Sequence, residues 1–404
     1  MLGAMHSHGG PLSRLRRGHE ERVLGLLRRH GPQSRAELGR QAGLSRTTLY
    51  DIVGTLVASG AVVVAAADPG PRRRGRPVEH LTLNPAAGQA VGIDFARRAV
   101  HVAAANVAHE VIGSASRAHP PGLSWERRVE LAEQLVASLA GGTLRLSSLG
   151  TTGAVGVGVV GPVRTAGDAH EEPLAALAAL LSKRFGAPVL LDNNTRLAAL
   201  AESTWGAAAS SQDVLYLRLS HGVGGGLVVN GSLHRGADGL AGELGHITAD
   251  PGGGPCECGG TGCLETIASI GPVLSSFRAL GGRADDVPTL LRAVGNGDRA
   301  ALEVLRTAGI RTGTVLAGVV NAVGPGVIVI GGELARAGEA LFAAVHEALD
   351  THVMPLARSR VTLLPAGLGE AGGALGGVAL ALHESPLLAR YPDPGGDDLP
   401  EDAL

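Results

Sequence analysis

Three cysteines and a histidine are the first residues in this chain that could do chemistry together. His246 is followed ten residues later by the run CECGGTGC, which holds Cys256, Cys258 and Cys263, all the cysteines the chain has. Three thiolates and one imidazole make an ordinary tetrahedral zinc set. Gly259, Gly260 and Gly262 let the loop wrap a small ion. Four protein ligands leave no open coordination position, so the expected cofactor is structural zinc. The competing reading is three free thiols in a glycine-rich loop. An odd, clustered set does not build a disulfide framework.

A second group points to DNA. In SRAELGRQAGLSRTTLYDIVGTLVASGAVVV, Ser34 and Glu37 fit a capping box that starts one helix. Gly43 supplies a tight bend, and Ser45 caps the next helix. Leu49, Ile52, Val53 and Leu56 fall at i, i+3, i+4 and i+7, one buried stripe. Ser45, Arg46, Thr47, Thr48 and Tyr50 stand at the N-terminal end of that helix, the end that enters the major groove in helix-turn-helix proteins. An arginine there can pair bidentately with guanine, and a threonine can touch a thymine methyl. After Gly60 a strand and a loop carrying Arg72, Arg73, Arg74 and Arg76 read as a wing whose charges meet phosphates or the minor groove. The bland alternative is a small helical dimerisation module with a solvated charge run.

These residues need a scaffold, and the composition bounds it. The chain has 404 residues, 45% hydrophobic and 18% charged but only 2% aromatic. It is long enough for two or three domains, with cores of Ala, Val and Leu. Residues 1–84 hold 13 arginines against six acids, a balance of +7, while the rest stands at −9. A basic module on an acidic body predicts a polyanion partner for the first part only. The start, MLGAMHSHGG, lacks a secretory pattern, and the weakly polar run 314–332 is broken by Asn321, Gly324, Pro325 and Gly326. It reads as helix, turn and buried strand, so the expected location is cytoplasmic.

The expected order is a disordered stretch 1–18, a winged helix-turn-helix at 19–84, an α/β body at 88–385 and an acidic tail at 386–404. Within the body, AVGIDF, VHVAAANV and EVIGSASRA read as three strands, followed by alternating helices and strands. A second such series begins at DVLYLRLS, passes the strand VIVIGG and ends in an apolar helix from about Gly372. Two repeated units predict two lobes with a cleft between them.

The segments GRPVEHLTLNP, VGIDF, LLDNNTRLAALAE, GGGLVVNG, HRGADGLAGELGH, CECGGTGCLETIAS and VIVIGG together resemble the ROK family of repressors, open reading frames and sugar kinases, in its repressor branch. The resemblance implies an α/β, two-lobed actin-like body and zinc at His246, Cys256, Cys258 and Cys263. It also implies a sugar held in the cleft by Glu243, His246, Glu265 and the pair Asn193 and Asn194. Carboxylates accept hydrogen bonds from vicinal hydroxyls, and an amide both donates and accepts.

Three departures separate the chain from the kinases it resembles. Their first strand leads into a Gly-Gly-Thr turn that cradles ATP phosphates, where this chain reads Asp94, Phe95, Ala96, Arg97, Arg98. Arg97 and Arg98 could instead hold a phosphate with their side chains, though surface arginines are more often solvated. Their catalytic base is an aspartate, and the matching position is Asn194, an amide that cannot take a proton at neutral pH. Their second phosphate loop begins Gly-Thr-Gly, here Ser220, His221, Gly222. Gly224, Gly225, Gly226, Gly331 and Gly332 remain, more simply read as ordinary turns. The expected function is a sugar-responsive transcriptional regulator without kinase activity, a homodimer or homotetramer on operator DNA. The alternative is an active or bifunctional ATP-dependent sugar kinase.

Overall fold

Helix α1 (Pro11–His30) opens a computed structural model that describes residues 11–64, 79–139, 153–164, 172–209 and 211–384. The wing arginines Arg72, Arg73, Arg74 and Arg76 and the tail 386–404 lie outside the described residues. So do residues 1–10 of the stretch expected to be disordered, but the helix begins at Pro11, inside that stretch. Proline is favoured at a first helical position. Arg16 then ties the helix down, donating to Thr55 at 2.6 Å and pairing with Asp51 at 3.5 Å. A long-range anchor of this kind outweighs the weak local signal of an arginine-rich segment.

A short strand β1 (Gln33–Ser34) leads to α2 (Arg35–Ala42) and α3 (Arg46–Ala58). Ser34 and Glu37 form the expected capping box, and Gly43 closes α2 in the left-handed conformation at φ 65°. Leu49, Ile52, Val53 and Leu56 are the buried face of α3. Strands β2 (Val62–Val64) and β3 (His80–Leu83) complete a small sheet in the order β1-β3-β2.

The body starts with β4 (Gln89–Phe95), β5 (Ala99–Asn106) and β6 (Val111–Ala118). Next come α4 (Trp125–Ser138), β7 (Gly153–Val159), α5 (Glu172–Phe185), β8 (Val189–Asn193) and α6 (Asn194–Thr204). The sheet order is β6-β5-β4-β7-β8, antiparallel among the first three and parallel from β4 to β8. The second lobe repeats the plan. It holds β9 (Val214–Leu219), β10 (Val223–Val229), β11 (Ser232–His234), α7 (Glu265–Ala268), α8 (Ile270–Ala279), α9 (Val287–Gly295) and α10 (Arg299–Val323). It then adds β12 (Val327–Gly331), α11 (Glu339–His352), α12 (Pro355–Arg358) and β13 (Thr362–Pro365). Its order, β11-β10-β9-β12-β13, has the same mixture of directions. This is the doubled, two-lobed actin-like architecture the sequence predicted.

The lobes exchange helices. Helix α6 follows the first sheet but packs on β9 and β10, while the last helix, α13 (Gly372–Glu384), packs on β4 and β7. The two helices also pack on each other. Such close layers require missing side chains: a Cβ at Gly156 would run into the Gly377 carbonyl, and one at Gly376 into that of Leu197. This explains why the run GGALGG sits in a buried helix despite the entropic cost of glycine there.

The N-terminal module shares its core with the body. Val23, Leu27, Leu38 and Leu81 belong to one apolar cluster with Ala103, Ala105, Leu375 and Val378. The Arg28 carbonyl also hydrogen-bonds His109 Nε2. Among the described residues no helix is long and apolar enough to cross a membrane.

Candidate functional site

The two asparagines, both buried, stand where β8 passes into α6. Asn193 is the N-cap of α6: Oδ1 accepts from Thr195 N at 2.8 Å and Arg196 N at 3.1 Å, and Nδ2 donates to the Gly161 carbonyl at 2.8 Å. Its side chain is thus committed to the backbone. Asn194 donates through Nδ2 to Asp94 Oδ1 at 2.9 Å. Asp94 is only 2% exposed; burial raises its pKa, while Arg218 and the Asn194 hydrogen bond pull it back.

Of the glycines read from the sequence as turns, Gly222 lies in the β9–β10 turn, Gly224, Gly225 and Gly226 lie in β10 and Gly331 ends β12, and those at 222–226 allow close approach. A Cβ on Gly222 would meet Glu265 Oε2 at 2.9 Å, one on Gly224 would meet Thr195 Oγ1 at 3.0 Å, and one on Gly225 would meet the Leu244 side chain. The strand therefore forms a platform on which three structures converge: the start of α6, the tight turn Leu244–His246, and Glu265 at the start of α7. Glu265 Oε2 accepts from Val223 N at 2.8 Å, so this carboxylate fixes the β9–β10 turn that holds Ser220 and His221. Glu243 directly precedes the Leu244–His246 turn and caps nothing.

His246 presents its Nδ1 to the cysteine loop. Its ligand nitrogen and the sulfurs of Cys256, Cys258 and Cys263 all lie within 4.8 Å of one another. Cys256 Sγ is 3.6 Å from His246 Nδ1, and Cys258 Sγ is 3.7 Å from Cys263 Sγ. Burial and the neighbouring sulfurs push the Cys263 thiol up to about 12. Crowded thiolates require a cation, so the donor set and its spacing fit zinc. The loop is shaped for it: Gly259 and Gly262 have φ of 90° and 64°.

At the N-terminus of α3, Arg46, Thr47 and Tyr50 are exposed. Ser45 accepts from Thr48 N at 3.1 Å and lies 2.8 Å from Thr48 Oγ1, so these two side chains cap the helix. Arg35 was not expected here. Its guanidinium lies 5.2 Å from the centre of the Tyr50 ring, and that of Arg46 lies 5.7 Å from it. Arg35 also pairs with Glu79 at 2.7 Å.

The sequence reading also missed an ion cluster built around the buried Asp192. Asp192 accepts from Arg196 at 2.7 Å and Arg235 at 2.6 Å, and Arg235 pairs with Glu384 at 2.9 Å. Arg196 further donates to the carbonyls of Val163 and Gly239. Asp192 lies in β8 and Arg196 in α6, so no helical spacing joined them in the sequence. Glu202, 1% exposed, accepts from the amides of Ala207, Gly367 and Leu368, clamping α6 to the loop after β13.

A model described as the ROK family matches residues 92–384. The chain belongs to the ROK family. Over 406 residues it is 26% identical to the DNA-binding transcriptional repressor Mlc of Escherichia coli K12, spanning 94% of this chain and 97% of that one. It is 36% identical to a glucokinase of Halalkalibacterium halodurans, but over 205 residues, 47% of this chain and 62% of the glucokinase. A solved ROK family transcriptional regulator superposes with a TM-score of 0.71 at 23% identity, covering 93% of this chain and 99% of that one; this likeness concerns the fold. The ROK match starts after β3, and the Mlc match extends across the helix-turn-helix as well.

Proposed function

We propose that the chain is a DNA-binding transcriptional regulator of sugar metabolism whose ROK body senses a sugar without phosphorylating it. The observation that carries this is the hydrogen bond from Asn194 to Asp94. The position that would hold a catalytic base is an amide already donating to a buried carboxylate, and proton transfer by such a base commonly contributes about 10²–10⁴ in rate. The full-length match to a repressor supports the same reading. Residues 19–84 act as the DNA-binding domain and 88–385 as the sensor.

Glu243, His246, Glu265 and Asn194 receive the sugar hydroxyls on the β10 platform, with Asn193 holding the end of α6 in place. Zinc at His246, Cys256, Cys258 and Cys263 is structural and fixes the imidazole of His246. Arg46, Thr47 and Tyr50 meet the major groove, Ser45 and Thr48 set the helix end, and Arg72, Arg73, Arg74 and Arg76 serve the wing. The protein works in the cytoplasm as a homodimer or homotetramer, since helix-turn-helix proteins read paired half-sites. Sugar binding alters DNA affinity only through a difference in its affinity for the open and closed cleft.

The test is fluorescence anisotropy on DNA upstream of the protein's own gene, at fixed salt with nonspecific competitor and a panel of sugars. Specific binding that one sugar changes is the expected result. The glucokinase match keeps a kinase as the second reading. Sugar-dependent ATP turnover with no specific DNA binding would establish it instead.

A further inference from the structure

A cavity of about 490 Å³ opens between the lobes beside the Asp94 strand end, lined by Phe95, Arg97, Arg98, Trp125, Arg128 and His221 among others. Three guanidinium groups and an imidazole face it, and no carboxylate lines it. Arg97 and Arg98 are exposed and have no ion pair among the described residues. Arg128 donates through Nε to the Leu123 carbonyl at 3.1 Å, and its guanidinium lies 5.1 Å from the centre of the Trp125 ring. Trp125 is braced in turn by Phe95, edge to face at 5.4 Å. Arg128 is therefore aimed before any ligand arrives, while burial without a carboxylate partner lowers its pKa. The first turn of α4 adds little charge of its own, because Ser124 and the Glu126 carboxylate already meet its amides.

The geometry points to this cavity as a subsite for a phosphate group, carried by the sugar effector: the regulator answers to a phosphorylated sugar. The inference rests on the sugar-sensing reading above and narrows its ligand. Fork-shaped guanidinium groups match phosphate oxygens bidentately and form the stronger, charge-assisted class of hydrogen bond. The arginines occupy the β4–β5 turn that lacks glycine, so side chains take the place of backbone amides. The cavity also crosses the cleft. His221 comes from the β9–β10 turn, which Glu265 holds through Val223 N, whereas the arginines belong to the first lobe. One phosphate bridging both would favour the closed cleft, which is the differential affinity a switch needs. A nucleotide presents the same phosphate chemistry, so the test separates the two sources.

Trp125 is a built-in reporter. In a Trp205→Phe protein it is the sole tryptophan, and its emission is followed as inorganic phosphate, hexoses, hexose phosphates and ATP are added. Calorimetry on the unaltered chain replaces this if that variant does not fold. The expected result is saturable binding of inorganic phosphate, and hexose phosphates binding ~10-fold or more tighter than the parent sugars. Arg97→Ala with Arg128→Ala should remove that difference and leave parent-sugar affinity unchanged. No saturable phosphate binding overturns the proposal, as does an equal loss for sugar and sugar phosphate in the arginine variants. Arginine-dependent binding of ATP without hexose phosphates overturns it in favour of a nucleotide site. Phosphate bound while neither hexoses nor hexose phosphates bind leaves the phosphate cavity intact and instead removes the sugar-sensing reading, and the phosphorylated-sugar effector with it.

Discussion

Asn194 donates its amide to a carboxylate, that of Asp94, 2.9 Å away in a buried site. The pair has one carboxyl group, and the amide hydrogen bond favours its charged form against the burial that raises the Asp94 pKa. Asn194→Asp would set two carboxylates at that distance, where both cannot ionise. The expected outcome is a lower Tm at about pH 7.5, a smaller loss at about pH 5, and no gain in sugar-dependent ATP turnover. The swapped double variant Asp94→Asn with Asn194→Asp restores one charge and one donor and should recover most of the Tm. Turnover appearing in Asn194→Asp alone would show that the rest of the kinase machinery is intact.

The metal cluster gives a second expectation. With one bound zinc per chain, Cys256→Ser or Cys258→Ser should lower metal content in the purified protein, measured by elemental analysis. A strong chelator should lower Tm in the unaltered chain and much less in the variants. The loop also adjoins the site, since His246 ends the turn that follows Glu243. Metal removal is therefore expected to weaken sugar binding by calorimetry while DNA binding through α3 persists. Full metal content in both serine variants would refute the assignment of these ligands.

Much of this was legible in the sequence because the signals were local. The capping box of Ser34 and Glu37, the stripe Leu49 to Leu56 and the cysteine spacing each report on a few neighbouring residues, and the structure has all three. The repeated series of strands was legible for the same reason, most of them being short apolar runs of Val, Ile, Leu and Ala. What could not be read depends on partners far along the chain. Arg196 meets Val163 and Gly239, Glu202 meets Gly367 and Leu368, and Arg35 stacks on Tyr50. Gly222, Gly224 and Gly225 were equally opaque, because their cause is Glu265, Thr195 and Leu244 pressing on the β9–β10 turn and on β10. The start of α1 was missed because Arg16 finds its anchors in α3.

The exposed end of α3 separates two kinds of contact. If Arg46 reads a base, Arg46→Ala should cost about 1–3 kcal/mol of specific binding and relax preference at one position of the operator. If it meets only phosphate, the loss should be uniform across sequences and the salt slope should fall by about one. Arg35→Ala should have a smaller effect, because that guanidinium is shared between Tyr50 and Glu79. Anisotropy titrations at two salt concentrations on operator and scrambled DNA decide between these outcomes. Unchanged binding in Arg46→Ala would remove this helix end from the interface.

The joint between the module and the body should be sensitive to acid. His109 and His383 stack at 6.2 Å, with His30, Arg28 and Arg29 as the basic neighbours on α1. Burial lowers the pKa of His109 to about 4 and that of His383 to about 3, from an ordinary value of 6.5. The folded chain thus refuses protons that the unfolded chain accepts below about pH 6.5. Stability is fully present above that value and is lost as pH falls toward about 4 for His109 and about 3 for His383. By about pH 5 the His109 shift has removed on the order of 2 kcal/mol of stability. His109 occupies a left-handed position at φ 67°, which asparagine tolerates. His109→Asn should therefore fold, show a lower Tm at about pH 7.5 because the contact to the Arg28 carbonyl is gone, and lose less between about pH 7.5 and 5 than the unaltered chain. Thermal melts across that range measure both effects. Parallel curves for the two proteins would mean that protonation elsewhere governs the acid response.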